Sequence, residues 1–279
     1  MPRHPFLQLD VFSAAPFRGN PLAVIAGADA LPVETMQRIA AWTNLSETAF
    51  LMAPEPGGDY RVRIFTPTRE LPFAGHPTLG ACAAWLALGG TPSGAEVAQD
   101  CGAGRVRIRR EAGRLAFAAP PLSRDGPLEE AEIARIAAGL GVPRDAILAA
   151  RHADNGPGWR AVLLDRRDRL LAIRPDYAAL SDLKLGLVAR CDPARDDAEA
   201  DFELRALICD RAAEDPVTGS LNAAVAQWLI GAGLAPATYL AAQGTGMGRA
   251  GRVHVTAEAG TVWIGGETAV AIRGEIDIP

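Results

Sequence analysis

The chain has 279 residues, of which 49% are hydrophobic and 22% are charged, and its formal net charge is −5. This composition is ordinary for a soluble globular protein that is long enough for two domains. The net negative charge argues against nucleic acid as the main partner. The four cysteines form no Cys-x-x-Cys pair, so no zinc or redox motif is indicated. The N-terminus lacks the apolar core of a signal peptide and no segment resembles a membrane span, so we expect a cytoplasmic protein.

The N-terminal part of the chain predicts short strands and two helices. Alternating or apolar runs predict strands at residues 6–12, 22–25, 45–52 and 60–65. Pro32 is expected to open a helix, because proline suits the first helical position. By the same argument a second helix starts at Pro77, with Gly75 and His76 just before it. No formally charged residue occurs in 71–95, and a helix that is apolar all round must be buried all round.

The rest of the chain predicts many more strands than helices. We expect strands at residues 96–101, 105–110, 114–118, 146–149, 160–164, 185–189, 238–242, 252–256, 262–265 and 270–278. An amphipathic helix is expected over 133–140, ending at Gly141, and another over 177–183. The proline-rich stretch 120–127 is the expected domain boundary. Many short strands with few helices indicate an α+β fold rather than a doubly wound sheet.

One pattern in the sequence occurs twice. Alignment of Gly219 with Gly75 gives an offset of 144 residues, which also places Arg205 on Arg61, Ile208 on Ile64, Glu214 on Glu70, Pro216 on Pro72 and Ser220 on His76. The uncharged run recurs as well, in 216–248. Two copies of strand, turn and apolar helix predict two pseudo-symmetric lobes, each a sheet around a central helix. We expect these lobes at residues 1–120 and 121–265. The C-terminal strand near 266–279 is a candidate to return to the N-terminal lobe.

Glu47 is a candidate acid or base. On its predicted strand it shares a face with Leu45, Ala49 and Leu51, and a carboxylate that loses hydration is suited to moving protons near neutral pH. An alternative comes from Asn44, since a polar residue with a glutamate three positions on has the spacing of a helix capping box. No helical pattern follows Asn44, but the residues alone leave both interpretations open.

The other candidates surround the starts of the two predicted central helices. They are Gly75 and His76 at the first, and Asp215, Thr218, Gly219 and Ser220 at the second. Unpaired N–H groups at a helix N-terminus attract carboxylates and phosphates. Each polar residue also has a plainer interpretation, with His76, Thr218 or Ser220 acting as an ordinary helix cap. If the lobes face each other about a pseudo-twofold axis, both helix starts point into one cleft, where Glu47, His76 and Asp215 flank an anion site.

Two other motifs do not support a function. The glycine-rich motif Gly244-Thr-Gly-Met-Gly-Arg resembles part of a nucleotide-binding loop, but no helix is expected after it and the lysine of a phosphate-binding loop is missing. Ser220 does not lie in the Gly-x-Ser-x-Gly context of a hydrolase nucleophile. We therefore expect neither a nucleotide-dependent enzyme nor a serine hydrolase.

Six motifs occur in order along nearly the whole chain. They are Asp10-Val-Phe, Gly19-Asn-Pro-Leu-Ala-Val, Asn44-Leu-Ser-Glu-Thr, Arg63-Ile-Phe-Thr-Pro, Glu70-Leu-Pro-Phe-Ala-Gly-His-Pro-Thr and Glu214-Asp-Pro-Val-Thr-Gly-Ser. Together they resemble the PhzF family of phenazine-biosynthesis isomerases. The chain departs from the family pattern at Leu207-Ile-Cys-Asp-Arg and at Leu221-Asn222, both near the second central helix.

The resemblance implies a diaminopimelate-epimerase-like fold, with two lobes of mixed, curled, barrel-like sheet, and commonly a homodimer. It implies isomerisation without a cofactor or metal, as when trans-2,3-dihydro-3-hydroxyanthranilate is isomerised by moving a proton along its ring. By motif, Glu47 matches the catalytic acid/base, and His76, Asp215 and Ser220 match polar site residues. Gly75 and Gly219 would present backbone N–H groups to a small carboxylated substrate.

Two alternatives to this function are considered. Amino-acid epimerases and racemases resemble this architecture but use paired cysteines at the two helix starts, where this chain has His76 and Ser220. A protein that binds a metabolite without converting it would keep the cleft but have no use for Glu47. Loss of a D/L interconversion on thiol alkylation would favour the first alternative, and tight binding of a carboxylate ligand without turnover would favour the second.

Overall fold

A computed structural model describes residues 2–197 and 199–279. The chain forms two compact units, one of residues 1–118 and 265–279 and the other of residues 119–264. No helix in these described parts of the chain is both long and apolar enough to cross a membrane.

The first unit is built from short strands and two helices. Its elements in order are β1 (Arg3–Val11), β2 (Asn20–Ala26), α1 (Val33–Thr43), β3 (Glu47–Met52), β4 (Tyr60–Phe65), β5 (Glu70–Leu71), α2 (Gly75–Ala87), β6 (Val97–Cys101), β7 (Gly104–Glu111), β8 (Arg114–Ala118) and the C-terminal strand β18 (Thr268–Asp277). The sheet is mixed. β1 runs antiparallel to β2 and β18, β2 and β3 are parallel, β4 runs antiparallel to β3 and β5, β4 and β6 are parallel, and β6, β7 and β8 form a meander.

Helix α2 is the central helix of this unit, with contacts to β1, β2, β3, β4, β6, β8 and β18. Its residues from Gly75 to Cys82 are buried on every side, as the uncharged sequence predicts. A Cβ atom on Gly80 would lie 2.5 Å from Leu22 Cδ2 and 2.9 Å from Val11 Cγ2, so glycine allows the helix to approach the sheet this closely. Helix α1 packs elsewhere, where Met36 joins a separate apolar cluster with Ile25 and Phe50.

The second unit has more elements but the same plan. In order they are β9 (Arg124–Pro127), α3 (Glu130–Leu140), β10 (Ile147–Asp154), β11 (Trp159–Leu164), α4 (Arg167–Ala172), β12 (Lys184–Arg190), β13 (Phe202–Ile208), β14 (Ala213–Asp215), α5 (Gly219–Gly231), β15 (Thr238–Gln243), β16 (Gly251–Glu258) and β17 (Thr261–Gly266), within which the chain returns to the first unit. Short 3-10 turns lie at Arg144–Ala146, Cys209–Arg211 and Thr245–Met247.

The order of strand pairing in the first unit is repeated in the second. β10 and β11 are antiparallel, β11 and β12 parallel, and β13 runs antiparallel to β12 and β14. β13 and β15 are then parallel, and β15 and β16 antiparallel. The two central helices, α2 at 75–87 and α5 at 219–231, have 13 residues each and are related by the offset found in the sequence. The predicted α+β fold with repeated sheet-and-helix lobes is therefore confirmed.

Several predicted element boundaries are wrong. Helix α2 begins at Gly75, not at Pro77, because Ala74 already has the extended backbone of an N-cap and proline is tolerated throughout the first turn, where its missing N–H is not needed. Residues 177–183 form turns instead of a helix, since the Asp176 carboxylate accepts the N–H groups of Ala178 and Ala179. A helix that was not predicted, α4, lies earlier in the chain.

Two strands also differ from expectation. The proline-rich connection contains β9, which pairs with β10 and has Pro127 as its last residue. The strand expected at 146–149 continues to Asp154, so that the turn after it joins β10 to β11 as a hairpin. Both differences lengthen the sheet of the second unit.

Candidate active site

Glu47 and His76 lie side by side in the first unit. Glu47 is the first residue of β3, paired with Leu22 of β2, and His76 is the second residue of α2. The distance between Glu47 Oε2 and His76 Nδ1 is 3.4 Å, and the two side chains are 17% and 5% exposed. The structure thus brings the predicted acid/base and the predicted histidine together, where the carboxylate keeps some access to solvent.

The imidazole of His76 is neutral at physiological pH. Burial lowers its pKa from 6.5 to about 3, although a hydrogen bond with the Pro21 carbonyl opposes this shift. The contact with Glu47 is therefore not an ion pair. A neutral ring that carries its proton on Nδ1 can donate a hydrogen bond to the carboxylate without competing with it for protons.

Asn20 completes this group, although sequence reasoning did not single it out. It is the first residue of β2 and is fully buried, with Nδ2 placed 3.4 Å from His76 Nδ1. One ring nitrogen cannot both donate to Glu47 and accept from Asn20, but an asparagine can present either its nitrogen or its oxygen. With the Asn20 oxygen towards the ring, the single hydrogen on Nδ1 is shared between the Asn20 oxygen and the Glu47 carboxylate. The residue was missed because Gly19-Asn-Pro has the composition of a turn.

Neither central helix is capped by the side chain of its own N-cap residue. Ala74 and Thr218 are the N-cap residues, and neither makes a side-chain hydrogen bond that caps its helix. Neither first turn contains an acidic residue. The interpretation of Thr218 or Ser220 as an ordinary side-chain cap is therefore wrong. The backbone N–H groups of Gly75 and Gly219 lie at helix N-termini, where the helix dipole favours an anion.

In the second unit, Asp215 and Thr218 are bonded to each other. Asp215 ends β14, and the Thr218 hydroxyl donates to its Oδ2 atom. Gln243, the last residue of β15, is fully buried and hydrogen-bonds both residues. No local pattern marks Gln243 in the sequence, because its partners lie 25 and 28 residues away.

Ser220 is held from two directions. Its Oγ atom accepts a hydrogen bond of 3.1 Å from Trp159 Nε1, and its carbonyl accepts one of 2.9 Å from Asn155 Nδ2. These two residues flank the hairpin turn between β10 and β11, which the sequence predicts only as a turn. Because Ser220 Oγ already accepts the hydrogen bond from Trp159, the hydroxyl group is held in place and its own hydrogen is directed away from Trp159.

The capping-box interpretation of Glu47 is wrong. Asn44 is the C-cap of α1 in the left-handed conformation, with its N–H bonded to the Ala40 carbonyl, and the chain continues into β3 rather than a helix. The spacing of the capping box is therefore a coincidence of sequence. The interpretation of Glu47 as an acid or base remains.

The cysteines do not lie at the helix starts. Cys82 is buried within α2, where burial raises the pKa of its thiol to about 12, and burial raises that of Cys209 to about 11. A racemase with one thiol at each helix start would need cysteine where this chain has His76 and Ser220. Among residues 2–197 and 199–279, no three His, Cys, Asp or Glu side chains are grouped as a metal site.

Comparison with known proteins places this chain in a family. The family described as phenazine biosynthesis-like protein matches residues 9–276. The chain is 33% identical over 298 residues to antisense-enhancing sequence 1 of Schizosaccharomyces pombe, and the match covers 99% of each protein. It is 37% identical over 181 residues to trans-2,3-dihydro-3-hydroxyanthranilate isomerase of Pseudomonas fluorescens, and that match spans 64% of each protein.

The fold of the chain is also found in a solved structure. A crystal structure of a PhzF-family phenazine biosynthesis protein from Enterococcus faecalis aligns with a TM-score of 0.83 at 27% identity, over 99% of this chain and 100% of the other. The chain therefore belongs to the PhzF family of phenazine biosynthesis-like proteins, and it is an isomerase.

Proposed function

We propose that the chain isomerises a small, unsaturated, carboxylated amine by moving a proton between two of its carbon atoms. The observation that carries this proposal is the half-buried Glu47 carboxylate, 3.4 Å from a neutral histidine in the first turn of the central helix α2. trans-2,3-Dihydro-3-hydroxyanthranilate is the substrate named for one relative and has this chemistry, which supports it as the first compound to test. A setting in phenazine-type biosynthesis is proposed on the same ground.

In this mechanism Glu47 acts first as a base and then as an acid. Its carboxylate takes a proton from a carbon next to the unsaturated system, and the electron pair left behind shifts along that system. The protonated Glu47 then returns the proton to another carbon on the same face, so that no atom is gained or lost. His76, which is neutral, donates from Nδ1 and holds the carboxylate in place.

The remaining site residues are assigned to binding and to hydrogen-bonding roles. The N–H groups of Gly75 and Gly219 at the helix starts are proposed to bind negatively charged oxygen atoms, including the substrate carboxylate. Thr218 and Ser220 are proposed to bind the polar groups of the substrate. Asp215 is proposed as a catalytic residue that orients the amino or hydroxyl group or relays a proton.

The proposal is tested by proton exchange. Wild-type protein incubated with dihydrohydroxyanthranilate in heavy water should incorporate deuterium into carbon positions of the substrate, as measured by mass spectrometry and NMR. Glu47→Gln should bind the substrate but lower the exchange rate by at least about 10²-fold, the smallest contribution typical of a general acid/base. The mutation Glu55→Gln, at an exposed carboxylate paired with Arg61, is the matched control and should leave exchange unchanged.

Two outcomes would count against the proposal. Exchange at the wild-type rate in Glu47→Gln would remove the role of this residue. Tight binding of the substrate by the wild type without any exchange, measured by calorimetry, would favour a protein that binds a metabolite without converting it.

A further inference from the structure

A buried glutamine lies next to the first turn of each central helix. Gln99 in β6 and Gln243 in β15 are related by the same offset as α2 and α5, and each is 0% exposed. Fully buried amides are costly unless every donor and acceptor is used. The hydrogen-bond partners of the two glutamines therefore indicate which groups each side chain holds in place.

The amide of Gln243 has only one possible orientation. Its Oε1 atom accepts the backbone N–H of Thr218 at 3.0 Å and Nδ2 of Asn222 at 2.9 Å. Its Nε2 atom lies 3.1 Å from the backbone carbonyl of Asp215. A backbone N–H can only donate and a backbone carbonyl can only accept, so these two contacts fix which end of the amide is nitrogen.

The second hydrogen on Nε2 fixes the direction of the next bond. Nε2 donates it to Thr218 Oγ1 at 3.0 Å, so the threonine hydroxyl accepts on that side. The hydroxyl hydrogen is then directed to Asp215 Oδ2, which as a carboxylate can only accept. Amide, hydroxyl and carboxylate form a chain of hydrogen bonds with a single direction, and bonds in such chains strengthen one another.

The backbone brings Gln243 close enough to make these contacts. Gly244 has φ +87°, and a Cβ atom on it would lie 2.7 Å from the Pro216 carbonyl oxygen. The end of β15 therefore packs directly on the turn that joins Asp215 to Thr218. A side chain at position 244 would push the two segments apart.

The first unit keeps the glutamine without the chain of hydrogen bonds. Gln99 accepts from the Tyr60 hydroxyl at 2.8 Å and donates to Thr78 Oγ1 at 3.2 Å. At the offset of the repeat, Leu71 and Ala74 stand in the places of Asp215 and Thr218. Gln99 thus supports its helix but has no catalytic carboxylate to direct, which makes it an internal control.

We propose that Gln243 is a positioning residue, which directs the Thr218 hydroxyl hydrogen onto Asp215 and so holds that carboxylate in a fixed orientation. The proposal rests on the proposed function, because the catalytic part played by Asp215 comes from there. Gln243 acts on Asp215 through Thr218, so it needs no contact with the substrate. It also gives a use to Asn222, one of the departures from the family pattern, as a second donor to the Gln243 oxygen.

The first test does not depend on activity. In threonine-labelled wild-type protein, NMR should show a slowly exchanging hydroxyl hydrogen on Thr218. Gln243→Met keeps the side-chain length but removes all four hydrogen bonds of the amide, including the one to Thr218 Oγ1. Exchange should accelerate about tenfold, the equivalent of that one hydrogen bond to the hydroxyl. Gln99→Met should leave the Thr218 hydroxyl unchanged. Equal exchange rates in the wild type and Gln243→Met would overturn the proposal.

The second test uses Gln243→Glu, a smaller change that guards against misfolding of the methionine variant. A protonated carboxyl group can still donate to Thr218, whereas an ionised one can only accept. The kcat of this variant should therefore approach that of the wild type at low pH and fall about tenfold or more as pH rises, with little change in KM, over a range where circular dichroism shows both proteins folded. Gln99→Glu should show no new pH dependence of kcat.

The two proposals fail in different ways. A wild-type protein that exchanges no substrate proton counts against the proposed function, and the hydroxyl measurement then decides the role of Gln243 by itself. A wild type that is active, with Gln243→Glu and Gln99→Glu giving the same pH profile, would overturn the role of Gln243 and leave the proposed function standing.

Discussion

At the scale of single residues, acid–base chemistry is divided unevenly between Glu47 and His76. The imidazole is 5% exposed and has a pKa of about 3, so it stays neutral through the physiological range. Glu47 has 17% of its side chain exposed, so its carboxylate is accessible to solvent and, in the proposed mechanism, to the substrate. The histidine is therefore suited to holding the glutamate, and the glutamate to moving the proton.

The buried histidine makes stability depend on pH. Folding lowers the pKa of His76 from 6.5 to about 3, so between these values the unfolded chain binds a proton here and the folded chain does not. The contribution of the neutral ring is complete above the unfolded pKa and is lost as pH falls towards the folded one. At about 1.4 kcal/mol per pKa unit, going from pH 7 to pH 5 should cost roughly 2 kcal/mol.

Urea unfolding at these two pH values measures this effect. The wild type should lose about 2 kcal/mol more than His76→Gln, which has no group to titrate at this position. Equal losses in the two proteins would show that His76 is not held neutral by burial.

The hydrogen bond from Trp159 to Ser220 gives a prediction about substrate binding. Trp159→Phe keeps the aromatic ring in its buried place but removes the donor to Ser220 Oγ, so the serine hydroxyl is no longer fixed. A single hydrogen bond of this kind contributes about 1 kcal/mol, and kcat/KM should fall roughly fivefold. Trp42→Phe, at a tryptophan that is 81% exposed, is the control for steady-state kinetics and should have no effect. A fall of the same size in both variants would contradict the role of the Trp159 donor.

Sequence reasoning proposed candidate site residues that occur in compact motifs, and it did not propose those whose partners are distant in the sequence. Glu47 and His76 stand beside glycine, proline or strand patterns that can be recognised locally. Asn20 contacts a residue 56 positions away, and Trp159 contacts one 61 positions away. Only the folded chain brings such pairs together, so no local pattern of polar residues could reveal them.

At the scale of elements, the two central helices have equal length but different first turns. Their common offset could be read from the sequence, because the apolar runs and the preceding glutamates repeat together. The start of α2 was misplaced at Pro77 because proline is acceptable at any position of the first turn. Helix α4 has only six residues, too few for a hydrophobic period to be recognised.

Close packing of α2 gives a pair of matched glycine predictions. Alanine usually stabilises a helix relative to glycine by about 1 kcal/mol, and Gly231→Ala at the end of α5 should do so because nothing lies within 4 Å of the new Cβ. Gly80→Ala in α2 should instead destabilise by about 1–3 kcal/mol, since its Cβ would meet Leu22 and Val11. Thermal unfolding of the two variants should shift in opposite directions. Stabilisation by Gly80→Ala would show that α2 can move away from the sheet.

At the scale of the whole molecule, each unit repeats one order of strand pairing around one apolar helix. The repeat in the sequence predicts this plan, because each copy contains a strand, a turn and an uncharged run, from which a sheet around a buried helix is built. The return of the strand near 266–279 to the first unit was expected, but no local pattern shows that its partner is β1. The Ile278 N–H bonds the Pro2 carbonyl, and nine residues of β1 pair with β18. The first unit is therefore closed by the last residues of the chain.

This closure predicts an unusual sensitivity near the C-terminus, where most chains tolerate substitution. Ile278, one residue from the end, is 2% exposed and belongs to the apolar cluster of Ile25, Met36 and Phe50. Ile278→Ala should destabilise the first unit by about 2–3 kcal/mol, as for other buried isoleucines. Ile272→Ala, in the same strand but 49% exposed, should change stability by less than about 0.5 kcal/mol. Urea unfolding of both variants measures the difference, and equal effects would mean that the C-terminal residues do not close the core of the first unit.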